Sequence, residues 1–357
     1  MKFLTVIGNR PQFVKASAVS GPLRRVHAEV LVHTGQHYDD ELSAIFVREL
    51  EVPRPDRELA VSGGSNTSQT ARMLTALEPV IEEVGPDAVL VYGDTNSTLA
   101  GALAGAHAGV PVAHIEAGMR SFDRSMPEEL NRVVTDHLSE VLLCSSEVAV
   151  ANLRREGLGS RVELVGDVMV DVARAVQPRA RERLDLIEAH RLEPGGYVLV
   201  TAHRAGTVDD PRRLEMLVEL LCAIPVPAIL PLHPRTLERL CQAGLFDRLE
   251  REAGQLVLTA PLGYLELTAL LCHALAVMTD SGGLQKEAYL AAVPCITLRP
   301  STEWTETVDA GWNVLVDLDP TAAIAALDRE RPGERPQLYG DGRAGERAVS
   351  ALTLRLA

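Results

Sequence analysis

The sequence is poor in aromatic residues, in long apolar runs and in positive charge. Phe, Trp and Tyr make up 4% of the 357 residues, so Leu, Val and Ala must fill the cores. No apolar run reaches the roughly 20 residues of a membrane-spanning helix, and residues 1–10 lack the longer apolar core of a secretory signal peptide. The net charge of −14 disfavours nucleic acid or an anionic membrane as the main partner. We therefore expect a cytoplasmic protein with neither kind of partner.

Paired cysteines and a dinucleotide fingerprint are also missing. The 5 cysteines are scattered, and no two of them form a CxxC pair, a pattern typical of reduced, mostly buried thiols. The turn after the first apolar run does not read Gly-x-Gly-x-x-Gly, the signature of a dinucleotide site at that place.

What the sequence does contain is an alternation of short apolar runs with helical segments, over a length that suits two α/β domains. We place an N-terminal Rossmann-like domain at residues 1–176 and a C-terminal, nucleotide-binding one at 177–343. We expect the helix at 344–357 to pack back on the first domain.

Three acids in residues 89–132 follow the ends of predicted elements. Asp94 and Glu116 come after the strands predicted at 89–92 and 112–115, and Glu128 begins a helix shortly afterwards. In open α/β sheets the ligand crevice lies outside these strand ends. We expect the three acids to converge there without a lysine among them, although Arg120 and Arg124 are near in sequence. The pattern favours acid–base chemistry or stabilisation of developing positive charge; the alternative is that each acid caps a helix or a turn.

Basic residues follow the first predicted strand, at 3–8. Arg10 and Lys15 could reach a phosphate there, or they could belong to a solvated helix start. The loop after the strand at 29–33 is dense in polar side chains, which favours a site.

Polar side chains also follow the strands of the second half. His203 and His233 each stand just after a strand and are followed by an Arg within two residues; a single such histidine is more often structural. Ser281-Gly282-Gly283 precedes a predicted helix and suits an anion, because glycines admit close approach and the free N–H groups face it. Glu287, on that helix, could accept from ribose hydroxyls.

Together these motifs resemble the non-hydrolysing UDP-N-acetylglucosamine 2-epimerases. The segments that carry the resemblance span almost the whole chain: GNRPQFVKAS (8–17), HTGQHYDD (33–40), YGDTNSTLAGAL (92–103), HIEAGMRS (114–121), MPEELNR (126–132), VGDVMVD (165–171), TAHR (201–204), PLHPRT (231–236), TDSGGLQKEA (279–288), TEWTETVDAG (302–311) and YGDG (339–342).

The resemblance implies two Rossmann-like domains facing across a cleft, in the GT-B-like arrangement of UDP-glycosyltransferases and glycogen phosphorylase. It implies an isomerase that interconverts UDP-GlcNAc and UDP-ManNAc for polysaccharide biosynthesis. The proton leaves C2, UDP leaves C1, and UDP adds again to a bound 2-acetamidoglycal. It also implies a homodimer that needs no cofactor and no metal.

Matching positions assign roles to individual residues. The expected catalytic residues are Asp94, Glu116, Glu128 and His203. The expected contacts to the UDP-sugar are Arg10, Lys15, His233, Ser281, Gly282, Gly283 and Glu287. Parts of a second, activating UDP-GlcNAc site are matched by Gln36, His37, Arg72 and His233.

The chain departs from the family pattern at several of these motifs. Gln12 stands where many members have Glu, Leu267 where an aromatic often contacts uracil, and Trp304 where many have Arg. Such features resemble a branch that acts on UDP-2,3-diacetamido-glucuronic acid.

Several alternatives remain open at this level. Candidates for binding the C6 carboxylate of the uronic acid are Arg120, Arg124, Arg204 and Arg235. A glycosyltransferase would share the architecture, and a nucleotide-sugar-binding regulator would bind without turnover. A hydrolysing epimerase would need changed acids or an added kinase domain, for which this length leaves no room.

Overall fold

A computed structural model of the protein describes residues 1–36 and 52–357. The chain divides into two compact units: unit 1 is Met1–Arg174 with Gln337–Ala357, and unit 2 is Ala175–Pro336. The amphipathic helix predicted at 41–50 lies outside the described residues. Within the described parts, no helix combines the length and the apolar character needed to cross a membrane.

Unit 1 contains a parallel sheet of seven strands with helices around it. Its strands are β1 (Lys2–Ile7), β2 (Ala28–His33), β3 (Arg57–Glu58), β4 (Ala88–Tyr92), β5 (Val112–Ala117), β6 (Val141–Cys144) and β7 (Val162–Leu164). Its helices are α1 (Arg10–Val26), α2 (Asn66–Val84), α3 (Asn96–His107), α4 (Pro127–Leu138), α5 (Glu147–Arg155), a 3₁₀ turn (Gly159–Arg161) and α6 (Val168–Arg181), which continues into unit 2.

Unit 2 contains a parallel sheet of six strands. They are β8 (Val198–Thr201), β9 (Ala228–Pro231), β10 (Leu256–Thr259), β11 (Ala276–Thr279), β12 (Cys295–Thr297) and β13 (Asn313–Leu315). The helices are α7 (Leu184–Ala189), α8 (Ala205–Val208), α9 (Pro211–Ala223), α10 (Pro234–Gln242), α11 (Phe246–Glu252), α12 (Tyr264–His273), α13 (Gly282–Ala291), α14 (Thr305–Asp309) and α15 (Pro320–Leu327). The helix α16 (Ala344–Leu356) belongs to unit 1.

The two sheets share one topology. The strand order is β3-β2-β1-β4-β5-β6-β7 in unit 1 and β10-β9-β8-β11-β12-β13 in unit 2. Both are the doubly wound Rossmann order, in which the direction of winding reverses between β1 and β4 and between β8 and β11. The predicted α/β class with two Rossmann-like sheets is confirmed.

The central strands of each sheet are buried on both faces, which explains their continuous apolar runs. Every residue of β4, β5 and β6 is buried. At the start of unit 2, Tyr197 and Leu199 pack into one core cluster, and Val198 and Val200 pack into another. Because successive strand residues point to opposite faces, the sheet has a core on each side.

Helix α6 is longer than expected, since we predicted that it would end near residue 176. It continues through Pro178 to Arg181. Val172, Val176 and Ala180 are almost fully buried at a spacing of four residues, which is one face of a helix. The burial of this face offsets the hydrogen bond that the proline removes.

Candidate active site

The carboxyl ends of β1 and β4 lie side by side at the switch point of unit 1. Gln12, in the first turn of α1, joins them. Its side-chain oxygen accepts from the Gly8 N–H at 2.7 Å, and its amide donates to the Tyr92 carbonyl at 2.8 Å. It also donates to the hydroxyl of Thr98 at 2.9 Å. The buried side-chain amide of Gln12 therefore holds together the ends of β1 and β4, next to which the candidate acids lie.

Glu116 lies at the end of β5, beside β4, and is nearly buried. Its carboxylate forms an ion pair with Lys15 of α1. The pair lies against Gly93, since a Cβ built on that glycine would be 3.1 Å from Nζ of Lys15 and 3.3 Å from Oε2 of Glu116. The expectation of acids without a neighbouring lysine was wrong, because Lys15 comes from a distant part of the chain.

The backbone of Glu116 is strained. Its φ is +71°, in the left-handed region that costs a residue with a Cβ roughly 1–2 kcal/mol. Such outliers persist where the surroundings over-determine them, and they cluster at functional sites. The strain therefore marks Glu116 as a residue whose position matters beyond packing.

Asp94, the acid that follows strand β4, contacts helix α4. Its carboxylate lies 2.6 Å from the guanidinium of Arg132, which is almost completely buried. The side-chain amide of Asn131 donates to the Asp94 carbonyl at 2.9 Å. Arg132 also pairs with Glu129 at 2.8 Å. The half-buried Asp94 carboxylate thus has a fixed cationic neighbour.

Glu128 lies in the first turn of α4, directly after Pro127. Arg132 follows four residues later, on the same face of the helix. Because Arg132 binds Asp94, Glu128 belongs to the same edge of unit 1 as the other two acids. Within residues 1–36 and 52–357, the Glu128 carboxylate forms no hydrogen bond or ion pair.

In unit 2, a buried carboxylate organises the end of β8. Asp280, completely buried, accepts from the backbone N–H of His203 at 3.0 Å and from that of Arg204 at 2.9 Å. The ring of His203 stacks on that of His233, with centroids 5.2 Å apart. His233 caps α10, where its Nδ1 accepts from the Arg235 N–H at 3.2 Å. The structure therefore brings the two predicted histidines together.

The N-terminus of α13 carries the predicted anion cradle. Ser281 is its N-cap, and Gly282 and Gly283 form the first turn. The free N–H groups of such a turn, with the helix dipole, suit a phosphate. Glu303 lies against Gly282, since a Cβ there would be 2.1 Å from its Oε1. Its charge is balanced by Arg299.

Glu303 and Glu287 both have partners at this end of α13. Arg299 lies 3.0 Å from the Glu303 carboxylate and Arg204 lies 3.7 Å from it. Glu287 shares a hydrogen bond with Tyr264. Burial, followed by the charge of Glu287, raises the pKa of Tyr264 well above its ordinary value, so this phenol stays protonated and can donate.

The remaining predicted residues lie in unit 1. Arg10 is the first residue of α1 and is half-buried. The side-chain oxygen of Gln36 accepts from the hydroxyl of Ser97 at 2.7 Å, in the first turn of α3. Arg72 donates to the carbonyl of Ser62 at 3.0 Å. His37 lies outside the described residues.

Sequence reasoning missed the partners that hold the acids and the histidine. Arg132 is the last residue of the segment MPEELNR, and its spacing of four residues from Glu128 could have indicated that it lies on the same helix face. Asp280 was quoted beside the glycines, but nothing in the sequence linked it to residues 203 and 204. Within the described ranges, no group of three or more His, Cys, Asp or Glu side chains is placed to hold a metal ion.

The chain has two Rossmann-like sheets. Acids lie at the strand ends of one, and a glycine-rich helix start follows a strand of the other, so the chain is an α/β protein with two Rossmann-like units. A family model described as UDP-N-acetylglucosamine 2-epimerase matches residues 23–353. The chain belongs to this family. The family resemblance predicted from the motifs is confirmed, and so is the expectation of an isomerase.

Named relatives cover the whole chain. The UDP-2,3-diacetamido-2,3-dideoxy-D-glucuronate 2-epimerase of Pseudomonas aeruginosa is 45% identical over 99% of both chains. A UDP-N-acetylglucosamine 2-epimerase homolog of Methanococcus maripaludis is 42% identical over 99% of both chains. The crystal structure of the Methanocaldococcus jannaschii UDP-GlcNAc 2-epimerase, in complex with UDP-GlcNAc and UDP, matches with a TM-score of 0.92 at 39% identity. That match covers 99% of this chain and 100% of the other.

Proposed function

We propose that the protein inverts C2 of a UDP-2-acetamido sugar and interconverts UDP-GlcNAc and UDP-ManNAc. The observation that carries the proposal is the pair of salt-bridged acids at neighbouring strand ends, Glu116 with Lys15 and Asp94 with Arg132, in a chain of this family. Two groups able to take and give a proton are what inversion of a carbon centre requires.

The reaction that fits these groups is an anti elimination followed by re-addition. The hydrogen on C2 is not acidic, because the sugar has no neighbouring carbonyl group. Cleavage of the C1–O bond must therefore run ahead, and carboxylates stabilise the positive character that develops at C1. A base takes the C2 proton, C1 and C2 become doubly bonded, and the electron pair of the C1–O bond leaves with UDP. The reverse steps deliver a proton to the opposite face.

Each group then has a proposed task. Asp94, Glu116 and Glu128 act on the sugar, as proton carriers or as stabilisers of positive charge. The first turn of α13, with Ser281, Gly282 and Gly283, binds the diphosphate, and Glu287 accepts from the ribose hydroxyls. For these last contacts the support is the glycine-rich helix start and the physics of helix N-termini. Arg10, Lys15 and His233 are the further proposed contacts to the nucleotide sugar.

His203 has a different proposed task from that of the acids. Its backbone is pinned by Asp280 and its ring stacks on His233. We assign it to the leaving diphosphate or to the orientation of an acid.

The first experiment is proton NMR of the protein with UDP-GlcNAc in D₂O. Deuterium at C2, together with a mixture of the GlcNAc and ManNAc nucleotides, is the expected result and shows directly that the C2–H bond breaks. Release of free sugar would indicate hydrolysis, and transfer to an added acceptor would indicate a glycosyltransferase. Saturable binding of the UDP-sugar, with no C2 exchange for any substrate, would support the alternative of a regulator that binds the nucleotide sugar without turnover.

The roles of two acids are separated by Asp94→Asn and Glu128→Gln in the same exchange assay. A variant that lacks the proton carrier for one face should lose exchange from the epimer whose C2–H lies on that face. Retention of exchange by both variants, from both epimers, would refute the assignment of these acids.

A second substrate is favoured by one comparison, the 45% identity to the UDP-2,3-diacetamido-glucuronate enzyme. Ion pairs in the structure argue against two of the four arginines proposed to bind the C6 carboxylate of the uronate. Arg120 is buried against Asp136 and Glu156, and Arg235 pairs with Asp209. Arg204 also lies near an acid, but its 3.7 Å contact with Glu303 is long, so Arg124 and Arg204 are the better candidates.

The uronate is tested in parallel with UDP-GlcNAc. Faster C2 exchange in the uronate would assign it as the native substrate. Arg204→Met and Arg124→Met, one variant each, would then show which guanidinium binds the carboxylate, through a raised KM for the uronate with an unchanged KM for UDP-GlcNAc.

Two further proposals come from the family resemblance. A homodimer in the cytoplasm is expected, and sedimentation at micromolar concentration checks the dimer. An activating UDP-GlcNAc at Gln36, His37 and Arg72 is expected to make the rate sigmoidal in substrate. Arg72→Met should then make the curve hyperbolic.

A further inference from the structure

Unit 1 contains a cluster of four ionisable side chains, His114, Arg120, Asp136 and Glu156, which we name the His114 cluster; the first three are buried and Glu156 is partly exposed. His114 and Asp136 have no exposed surface, and Arg120 is 6% exposed. The guanidinium of Arg120 binds both carboxylate oxygens of Glu156, at 2.8 and 2.7 Å. Burying so many charges is costly unless they are paired and hydrogen-bonded.

Asp136 accepts from three donors. Nδ1 of His114 and the guanidinium of Arg120 each lie 2.7 Å from its carboxylate, and the N–H of Gly118 lies at 3.1 Å. Burial acts to raise the pKa of Asp136, but His114 and Arg120 outweigh it, so the pKa is lowered from its ordinary value. Independently of the histidine, the permanently charged Arg120 guanidinium at 2.7 Å and the Gly118 N–H favour the ionised carboxylate, which accepts from His114 and has no proton to donate.

The other ring nitrogen of His114 also faces a group that can only accept. Nε2 lies 2.7 Å from the carbonyl oxygen of Gly93, and a carbonyl has no proton to give. Because an acceptor faces each nitrogen, both must donate, and the ring carries a positive charge. Two cations and two anions then balance within the His114 cluster.

The contacts of this ring lead to the candidate acids. Gly93 directly precedes Asp94 and lies against the pair of Glu116 and Lys15. Gly118, which Asp136 holds through its N–H, lies two residues after Glu116. The His114 cluster thus fixes the backbone beside two acids, Asp94 and Glu116, through His114 and Asp136, which have no exposed surface.

We propose that His114 is a positioning residue, a buried imidazolium whose Nε2–H holds the Gly93 carbonyl and thereby sets the turn that carries Asp94. The proposal rests on the proposed function for its effect on rate, since Asp94 acts on C2 only in that function. The charge of the ring and its contact with Gly93 can be measured without turnover.

The first test reads the protonation of the ring in the intact protein labelled with ¹⁵N-histidine. At the pH of the exchange assay, both nitrogens of His114 are expected to carry protons, because an acceptor faces each of them. The His114 signals are assigned by their loss in His114→Gln. A bare nitrogen on His114 at this pH would overturn the proposal.

The second test uses two amides that each replace one nitrogen. In His114→Asn the amide takes the place of Nδ1, so it can donate to Asp136 but not to Gly93. In His114→Gln the amide reaches the place of Nε2 and can donate to Gly93. We expect His114→Asn to lower the C2 exchange rate roughly 10- to 100-fold, the size of effect that follows a small misplacement of a reacting group, with unchanged affinity for UDP. His114→Gln should lose less.

The order of the two variants separates positioning from simple stability. Equal losses, or a larger loss in His114→Gln, would mean that the bond to Asp136 matters and the bond to Gly93 does not. His107→Asn, at an exposed histidine at the end of α3, is the matched control and should keep the wild-type rate.

A failure of the proposed function would look different. Wild-type protein without C2 exchange on either UDP-sugar would remove the role of Asp94, but it would leave the ring measurement intact. The backbone amide signal of Asp94 then tests positioning by itself. It should shift more in His114→Asn than in His114→Gln, and an unshifted signal in both would overturn the proposal.

Discussion

Asp280 shows how much a single buried carboxylate can organise. Its side chain is completely buried and accepts from the backbones of His203 and Arg204. In Asp280→Asn, one carboxylate oxygen becomes an amide group that faces N–H donors. Because a buried donor left without an acceptor costs about 1–3 kcal/mol, we expect a loss of that size in the free energy of unfolding, measured with urea.

Asp210→Asn is the matched control. Asp210 caps α9 by accepting from the backbone N–H of Arg212 and of Arg213, and Asn caps a helix about as well as Asp. The free energy of unfolding should stay within about 0.5 kcal/mol of wild type. An equal loss in both variants would mean that Asp280 has no special role.

Glu129 makes the free energy of unfolding depend on pH in the acidic range. Burial acts to raise its pKa, but the N–H and hydroxyl of Ser121 and the charge of Arg132 outweigh burial, so the pKa is lowered. The folded-state pKa is then below the unfolded value of ~4.3. The stabilisation is complete above that value and is lost as the pH falls through the folded-state pKa.

In Glu129→Gln this loss on acidification should shrink, so that the unfolding free energy falls less between pH ~7 and pH ~3.5 than it does in wild type. Urea titrations at several pH values measure it. Glu82→Gln, at an exposed position of α2, should keep the wild-type slope. A Glu129→Gln protein as acid-sensitive as wild type would contradict the expectation.

At the residue scale, the sequence identified the candidate acids but not what holds them. Asp94, Glu116 and Glu128 stand next to apolar runs or helix starts, which are local signals. The partner of Glu116 is Lys15, 101 residues away in the chain, and that of Asp94 is Arg132, 38 residues away. Such pairs depend on how helices pack on a sheet, which neither spacing nor composition reveals.

Among the elements, α3 lies very close to the sheet of unit 1 because its packed face carries glycine. A Cβ on Gly101 would be 2.9 Å from Cγ1 of Val91 and 3.2 Å from Cβ of Val6. We expect Gly101→Ala to lower the free energy of unfolding by about 1–2 kcal/mol, since overpacking outweighs the better helix propensity of alanine.

Gly206→Ala in α8 is the control, because a Cβ there meets no atom within 4 Å beyond its chain neighbours. It should raise the free energy of unfolding by about 0.5–1 kcal/mol, the helix propensity gain alone. Both variants are compared by urea unfolding. Stabilisation by Gly101→Ala would refute the close approach of α3.

Elements whose signals are local were predicted well. β6 covers the residues predicted for it, 141–144, and Ser146 caps α5 as expected, by accepting from the Ala149 N–H. The predicted end of α6, near residue 176, was wrong, because the charged, Arg-rich stretch from residue 177 was interpreted as a separate surface segment. What continues the helix is the burial of Val176 and Ala180, which depends on distant parts of the chain.

For the molecule as a whole, the notable connection is that α16 packs on α1 in unit 1. Leu352 on α16 is fully buried, while Leu354 is 81% exposed. Leu352→Ala should lower the free energy of unfolding by about 2–5 kcal/mol, the cost of a cavity in a core. Leu354→Ala, the same change on the same helix, should stay within about 0.5 kcal/mol.

Hydrogen exchange locates the effect. In Leu352→Ala, protection should fall in α1 and α16, with little change in the sheet of unit 2. Equal loss of protection in both units would mean that they unfold together and that α16 supports both.

The α/β class and two Rossmann-like sheets followed from the alternation of strands and helices, which requires parallel sheets. The strand order could not be derived from the residues themselves, because the apolar runs of β1, β4 and β8 look alike. The order came from the resemblance to a family with a known fold.

The packing of α16 on unit 1 has a consequence for how the protein folds during translation. Unit 2 is one continuous stretch, Ala175–Pro336, and unit 1 needs both the segment before it and the segment after it. During translation the whole of unit 2 is therefore synthesised before α16. The synthesis of unit 1 starts first, but the surface of α1 that α16 covers stays exposed until α16 has left the ribosome. We expect chaperones to bind at this surface.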